Sequence, residues 1–387
     1  METVVYDSMI DFYNSNFYKD SKKYKIKSIF EDWWDRFVEV APSLNINIRD
    51  VVYKEVDKLI SCGTSALGYS LYKCQSCDTE KFSFHTCKSR FCPSCGSMYV
   101  KKRVNKILSK CYNCKHRHLV FTIPKELRTF FDEDRSRLDL LFKAVSITIS
   151  SWFKDRNKGE SFTPGFILVI HTYGRPLNFN PHIHGILTEG AMGKNTVFRK
   201  FNFISYDALR KRFQKVLLDL IEKELGKNNF KSFKREIYSH TKDGFYVRAK
   251  KNHNQSTQVM IEYAVRYTGK PAMAESRILS YDGKFVTFWY LRHEDDKPVV
   301  VTINALEFIR RLITHIHEAQ FKTVRYYGIY NKEYKFHDKM FMLVKKHVID
   351  FKKKLTTWKM GIIFDFDINP LDCPNCGTEM EFLLRCC

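Results

Sequence analysis

Two histidines flank one apolar residue in NFNPHIHGILTEG, which spans residues 178–190. The segment reads as a β-strand, and residues two apart in a strand point to the same face. His182 and His184 would therefore project together, while Ile183 turns into the opposite layer. Two imidazoles at this separation can bind one cation and leave coordination positions open for the phosphate oxygens of a substrate. The alternative interpretation is a pair of polar residues on the solvated face of a sheet.

Two other His-x-His triplets provide internal controls. The triplet at 315–317 lies in EFIRRLITHIHEA, where apolar residues recur at helical spacing, and residues two apart on a helix diverge by about 200°. We interpret its histidines as structural because they could not share an ion. In His116-Arg117-His118 the middle residue is charged, and we expect that it would not be placed in a core. These comparisons favour the triplet at 182–184 as the metal site.

A tyrosine pair, Tyr263 and Tyr267, lies in YAVRY on a predicted helix. Ser256 is placed to cap its start, and Gly269 and Pro271 follow its end. The spacing of four puts both phenols on one helix face. A phenol with an ordinary pKa of about 10 is a poor nucleophile, but beside a cation-bound phosphate it can form a covalent phosphotyrosine. The alternative, in a chain with 21 tyrosines, is a pair packed in a core.

Half of the twelve cysteines are clustered in residues 62–95. Two CxxC motifs, Cys74 with Cys77 and Cys92 with Cys95, are close to the spacing of a two-knuckle zinc site. Each turn presents two thiolates, so two turns complete a tetrahedron. The candidate zinc ligands are Cys62, Cys74, Cys77, His85, Cys87, Cys92 and Cys95. They would serve either two sites or one site with spare residues.

Two further CxxC motifs stand apart from this cluster. Cys373 and Cys376 lie in CPNCG, the shape of a zinc knuckle, and form either a second zinc site or none. The adjacent Cys386 and Cys387 are an unfavourable pair for one ion. The motif at 111–114 matches no pattern that assigns it a role.

The charge of the chain favours a polyanionic partner. The formal net charge is +22 over 387 residues, and the excess is spread along the chain. A positive field over the whole protein suits nucleic acid, although a basic proteome would give the same balance. Five basic residues lie in or just after the cysteine cluster, and we expect them to contact DNA: Lys88, Arg90, Lys101, Lys102 and Arg103.

The chain shows no targeting or membrane signal. No segment approaches the roughly 18 apolar residues of a membrane span, and the acidic start METVVYDSMIDFYN does not resemble a secretory signal. We therefore expect a cytoplasmic protein with reduced cysteines. In that setting, clustered cysteine pairs indicate metal rather than disulfides.

The elements that must position these residues are predicted as an α+β fold with a mostly antiparallel central sheet. Strands are expected at RHLVFTIP, GFILVIHTYG and PHIHGILT, a helix between Ser205 and Gly226, and a hairpin at Asp282-Gly283. We predict three domains: an N-terminal helical and zinc-binding domain over 1–110, a catalytic domain over 115–305, and a C-terminal helical, cysteine-containing region over 306–387.

Six segments, in order, resemble the rolling-circle transposases of the insertion-sequence-91 type, which are HUH endonucleases (U denotes a hydrophobic residue). They cover roughly residues 55–330 and read SCGTSALGYSLYKCQSC, HTCKSRFCPSCG, HLVFTIPKEL, HTYGRPLNFNPHIHGIL, YAVRYTGKPAMAESRI and EFIRRLITHIHEAQFKTVRYYG. The resemblance implies an antiparallel sheet that carries the histidines, with the tyrosine helix against it. It also implies that the cysteines of residues 62–95 form the family's zinc module.

The resemblance further implies Mg²⁺ or Mn²⁺ bound by His182 and His184. HUH enzymes generally add a third polar ligand, for which His171 is our candidate. The implied substrate is single-stranded DNA at transposon ends and target, in a prokaryotic, nucleoid-associated setting. Tyr263 and Tyr267 would be the nucleophiles that leave a 5′ phosphotyrosine and a free 3′-OH.

Two other functions remain open at this stage. A plasmid-type replication initiator would use the same nuclease centre, and a zinc-dependent DNA-binding regulator would use no catalysis. The sequence has no GxxxxGK[ST] loop, which weighs against a built-in helicase. The N-terminal cysteine module favours the transposase over the initiator.

Overall fold

The chain forms two compact units, each assembled from separate stretches of sequence. The computed structural model describes residues 1–15, 25–156, 162–193, 197–201, 204–248, 256–265, 272–292, 294–335, 345–354, 357, 359–360, 362–363 and 367–386. The first unit comprises Met1–Asn105, Gly269–Ile316 and Val344–Cys387, and the second comprises Lys106–Thr268 and His317–Leu343. The division therefore differs from the three consecutive domains expected at 1–110, 115–305 and 306–387, because strands from distant parts of the chain pair with one another.

The described residues form helices and strands in alternating groups. The helices are α1 (Met9–Asn14), α2 (Ile26–Val40), α3 (Asp50–Ser61), α4 (Pro93–Leu108), α5 (Arg128–Glu133), α6 (Leu138–Arg156), α7 (Tyr206–Leu225), α8 (Lys227–His240), α9 (Thr257–Val265), α10 (Ala305–Ile313) and α11 (Lys346–Lys354). The strands are β1 (Glu2–Val5), β2 (Tyr69–Lys73), β3 (Glu80–Phe84), β4 (His116–Thr122), β5 (Thr163–Tyr173), β6 (Phe179–Met192), β7 (Phe198–Lys200), β8 (Val247–Arg248), β9 (Ile278–Tyr281), β10 (Phe285–Leu291), β11 (Pro298–Asn304), β12 (Val324–Gly328) and β13 (Glu381–Cys386).

These strands form three sheets whose observed pairings are all antiparallel, which confirms the predicted α+β class. The first unit holds a four-stranded sheet, β1-β11-β10-β9, and a three-stranded sheet, β13-β2-β3. The second unit holds the sheet β12-β5-β6-β4-β8, with β7 paired to β6. Among the described residues, none of the helices combines the length and the apolar character that a membrane crossing requires.

Local sequence signals fix the predicted helix and hairpin. The hydroxyl of Ser205 accepts a hydrogen bond from the amide of Ala208 and caps α7, and Gly226 ends that helix with φ near +85°. In the hairpin, the Asp282 carboxylate accepts hydrogen bonds from the amides of Lys284 and Phe285. Both elements are confirmed because their signals are local.

The core of the second unit lies between one face of its sheet and helices α6 and α7. Alternate residues of the strands, such as Leu119, Ile170 and Ile183, are fully buried there with Phe142 and Phe213. The histidines therefore occupy the other face, because strand side chains alternate.

Two predictions about the control triplets are wrong: the exclusion of Arg117 from the interior, and the helical position of residues 315–317. Arg117 does lie in the interior: its side chain is 3% exposed, and its guanidinium donates to the carboxylate of Glu189 over 2.9 and 3.0 Å. The carboxylate of Glu189 offsets the cost of burying the charge of Arg117, so residues 116–118 can form part of strand β4. The triplet at 315–317 lies beyond α10, which ends at Ile313 with Thr314 as its C-cap.

The buried ion pair provides a test of the β4 placement. Replacing Glu189 by Ala leaves the guanidinium of Arg117 buried without its carboxylate, so we expect the free energy of unfolding to fall by about 3–5 kcal/mol. Asp155→Ala is the matched control, because its partner Arg212 and Asp155 itself are more exposed; it should cost at most about 1 kcal/mol. Urea unfolding measures both, and equal losses would contradict the interior position of Arg117.

Candidate functional site

Three histidines converge on the open face of the second unit's sheet. His171 on β5 lies directly opposite His182 on β6, and His184 follows two residues along the same strand face. Their ligand nitrogens all lie within 4.8 Å of one another. Ile183 points into the core on the opposite face.

Hydrogen bonds fix one nitrogen of each imidazole. Nε2 of His171 lies 2.8 Å from the carbonyl oxygen of Ala264, and Nδ1 of His182 lies 2.7 Å from that of Asn180. Both nitrogens must donate, because carbonyl oxygens only accept. Nδ1 of His184 lies 2.8 Å from Nε2 of a fourth histidine, His118. Metal-binding histidines in proteins are typically held in this way through the nitrogen that does not touch the ion.

The remaining nitrogen of His184 indicates what the cluster binds. Its Nε2 is buried and has no hydrogen-bond partner among the described residues. Burying an unsatisfied polar atom costs free energy, and a neutral imidazole nitrogen is a common metal ligand. The three side chains therefore fit a divalent cation on their chemistry as well as on their convergence.

Burial keeps two of these imidazoles, those of His171 and His184, neutral. It lowers the pKa of His171 to about 3 and holds the pKa of His184 well below its ordinary value, with further lowering from neighbouring histidines. Only the neutral ring offers a lone pair to a metal. At neutral pH, His171 and His184 are therefore in the form that can bind a metal.

His118 is the residue that our sequence interpretation missed. It lies on β4, and its ring stacks on that of His184 at a centroid distance of 5.0 Å. Burial lowers its pKa to about 4, so it can accept a hydrogen bond. The available signal was the alternation in HRHLVFT, where Leu119 and Phe121 take the core face and leave His118 on the other.

The tyrosine helix packs on this same face. Helix α9 contacts β4 and β6, and the ring of Tyr263 lies 5.5 Å from that of His118 and 5.8 Å from that of His184. The side chain of Tyr263 is half-exposed, so a substrate can reach its hydroxyl. Tyr267 lies outside the described residues.

Both ends of α9 are attached to sheet histidines. Nδ1 of His116 lies 3.1 Å from the hydroxyl of Thr257 at the first residue of the helix, and His171 bonds to Ala264 near its last. Nε2 of His116 is held in turn by the hydroxyl of Tyr330 at 2.6 Å. These contacts fix the helix that carries Tyr263 over the histidine cluster.

The cysteines form two separate groups in the first unit. One comprises Cys62, Cys87, Cys92 and Cys95. Within it, Sγ of Cys95 lies 3.7 Å from that of Cys62 and 3.6 Å from that of Cys87. Thiolates bound about 2.3 Å from a tetrahedral zinc lie about 3.8 Å apart, so this group has the dimensions of a zinc site.

The expected partnership of the first two CxxC motifs is wrong. Cys74 and Cys77 lie with Cys373 and Cys376, and not with the motif at 92–95. The reason is topological: β13 pairs with β2 and brings the C-terminal motif to the end of the β2–β3 hairpin.

The remaining candidates join neither group. His85 bonds to the carbonyl oxygen of Leu67 and to Ser70 instead. Cys111 and Cys114 belong to no group of three potential ligands among the described residues, and Cys386 is exposed on β13.

Comparison with known proteins identifies the chain. A family profile described as a putative transposase matches residues 165–336, and one described as a transposase zinc-binding domain matches residues 29–123. The chain is 28% identical over 351 residues to the transposase for insertion sequence element IS801 of Pseudomonas savastanoi pv. phaseolicola, covering 87% of this chain and 84% of that protein. The chain belongs to the insertion-sequence-91 family of transposases.

A second relative agrees with this assignment. A putative transposase of Sinorhizobium fredii is 27% identical over 323 residues, covering 79% of this chain and 80% of that protein. No solved structure matches significantly. The matched regions of this transposase include the three histidines and Tyr263 in one profile and the cysteine group of residues 62–95 in the other.

The basic residues predicted to contact DNA differ in exposure. Lys88, Lys101 and Lys102 are exposed, whereas Arg90 and Arg103 are half-buried. Nε of Arg103 is buried without a hydrogen-bond partner among the described residues. A transposase acts on DNA, and the three exposed lysines are available to phosphate oxygens.

Proposed function

We propose that this transposase cleaves and rejoins single-stranded DNA by a rolling-circle mechanism, with Tyr263 and Tyr267 as nucleophiles. Mg²⁺ or Mn²⁺ would be held by His171, His182 and His184. The observation that supports this most directly is the convergence of three imidazoles beside the ring of Tyr263. A DNA-binding regulator without catalytic activity would not require a half-exposed phenol beside such a cluster.

The chemistry is a transfer of phosphorus between two oxygens. A divalent cation held by His171, His182 and His184 would polarise the scissile phosphate and offset the charge that develops on it. The phenolic oxygen of Tyr263 forms a bond to phosphorus as the bond from phosphorus to the 3′ oxygen breaks. The phenolic proton is transferred in net terms to the 3′ oxygen, which leaves as a free hydroxyl. The 5′ phosphate stays on tyrosine, and attack by a 3′-OH reverses the step and rejoins the strand.

Other contacts of the chain support this proposal. His118 holds Nδ1 of His184, which would leave Nε2 of that ring to bind the cation. His116 and His171 hold α9 at its two ends. Five basic residues would bind phosphate oxygens of the DNA, and their contribution to DNA affinity would weaken as the salt concentration rises. They are Lys88, Arg90, Lys101, Lys102 and Arg103.

A replication initiator would use the same nuclease step. The transposase function is favoured because both matching family profiles describe transposase domains and both relatives are named as transposases. The mechanism itself is tested by the chemistry at the tyrosines.

The tyrosine assignment predicts a covalent protein–DNA adduct. With Mg²⁺ and single-stranded oligonucleotides that cover the ends of the element, the unmodified protein should give an adduct on a denaturing gel. Tyr263→Phe and Tyr267→Phe together should abolish it, because the attacking oxygens are gone. Tyr238→Phe is the matched control, since Tyr238 is also an exposed helical tyrosine and should not matter. An adduct that survives the double change, or that forms in chelator, would exclude the mechanism.

The histidine assignment predicts metal-dependent cleavage. A bound metal contributes several kcal/mol to such a transition state, so His184→Ala should slow cleavage at least about 100-fold. Mn²⁺ binding, followed by electron paramagnetic resonance, should weaken in parallel. His240→Ala provides the control, because His240 is exposed on α8. Unchanged Mn²⁺ affinity in His184→Ala would place the ion elsewhere.

The contact between His118 and His184 predicts a graded effect on metal affinity. His118→Leu removes the hydrogen-bond acceptor, and losses of this kind typically weaken metal binding about 10–100-fold. His118→Gln retains an acceptor near the position of Nε2 and should recover most of the affinity. The Mn²⁺ titration measures both variants. Equal affinities for Leu and Gln would show that His118 only packs against the cluster.

A further inference from the structure

The two motifs Cys74-x-x-Cys77 and Cys373-x-x-Cys376 form matching loops at opposite ends of the sequence. Each reads C-x-x-C-x-T, as CQSCDT and CPNCGT. In both, the amide of the first cysteine donates to the carbonyl oxygen of the threonine over 2.9 Å. In both, the residue before that threonine has positive φ and donates its amide back to the first cysteine.

The two loops face each other in crossed pairs. Sγ of Cys74 lies 3.4 Å from Sγ of Cys376, and Sγ of Cys77 lies 3.5 Å from Sγ of Cys373. All four sulfurs lie within 4.8 Å of one another. The hydroxyl of Thr79 lies 3.2 Å from Sγ of Cys77, and the hydroxyl of Thr378 lies 3.5 Å from Sγ of Cys376. Two such turns supply the four thiolates of a structural zinc site.

We propose that Cys74, Cys77, Cys373 and Cys376 bind a second structural Zn²⁺, which fastens the C-terminal strand β13 to the N-terminal hairpin β2–β3. The site is distinct from the group that comprises Cys62, Cys87, Cys92 and Cys95. Half of its ligands lie far outside residues 29–123, the region matched by the zinc-binding profile. The zinc-binding domain of this chain is therefore completed by its C-terminal segment.

Burial of side chains contributes little to holding β13 against β2. All six of its residues are exposed, and the core beneath the loops consists of Cys74, Cys373 and Met380, with Tyr72 against it. So small a core does not offset the entropy of ordering a strand. Structural zinc sites supply folding free energy directly, so a bound metal would add to the backbone pairing of β13 with β2.

A few polar contacts, most of them exposed, also join the two ends. Asn375 donates to the hydroxyl of Thr79 over 2.8 Å, and Gln75 donates to the carboxylate of Glu381 over 3.0 Å. Lys81 donates to the carbonyl oxygen of Pro370 over 2.8 Å. Such contacts contribute little in water, but they orient the loops for ligation.

Zinc content tests the proposal on the full-length protein. Elemental analysis should give two zinc ions per chain for the unmodified protein and one for Cys373→Ser with Cys376→Ser. Cys62→Ser with Cys95→Ser should also retain one, at the other site. Cys386→Ser is the matched control, because Cys386 lies on β13 outside both groups, and it should retain two. A single zinc in the unmodified protein, or two in the Cys373→Ser, Cys376→Ser variant, would overturn the proposal.

Hydrogen exchange keeps the proposal testable if a double variant fails to fold. In the unmodified protein, removal of zinc by a chelator should increase exchange of the β13 amides at least tenfold, and added Zn²⁺ should restore their protection. Protection that persists after zinc content falls to zero would contradict a metal-held strand. The readout does not involve DNA cleavage, so its failure is distinguishable from failure of the proposed mechanism.

Discussion

The register of three antiparallel strands is the constraint on which the candidate site depends. Strand side chains alternate between faces, so β4, β5 and β6 can bury an apolar core on one side and collect imidazoles on the other. A slip of one residue would send His184 into the core and Ile183 onto the metal face. The packing of Ile183, Leu119 and Ile170 against α6 and α7 therefore positions the histidines. Stability of the core and geometry of the site have the same cause.

Local periodicity predicted what depends on neighbouring residues, and it failed where distant segments meet. The common face of His182 and His184, the cap of α7 and the hairpin at Asp282 all follow from short-range rules. The partners of Cys74 could not be read from spacing, because they arrive from the other end of the chain through the pairing of β13 with β2. The same limit explains His118: its role requires β4 to pair with β6, and the buried charge of Arg117 is explained only by Glu189 on that strand.

The two units carry potential metal ligands of different type and number. The cysteine groups consist of four thiolates each, and a tetrahedral ion filled by four protein ligands has no position left for a substrate. The histidine cluster offers three imidazole nitrogens and lies beside a half-exposed phenol. Three protein ligands leave positions open to phosphate oxygens. Ligand type and number thus separate sites that stabilise the fold from a site suited to chemistry.

The attachment of α9 to the sheet couples the geometry of the histidine cluster to the position of Tyr263. His171 donates through Nε2 to the carbonyl oxygen of Ala264, the residue next to Tyr263, which leaves Nδ1 as the nitrogen able to bind a cation. One ring would then orient both the ion and the backbone beside the attacking phenol. Displacement of His171 would disturb both at once, whereas a ligand on a flexible loop would disturb only the ion. A transfer between two oxygens requires the phosphate and the phenol to be aligned together, and a shared imidazole provides that alignment without further elements.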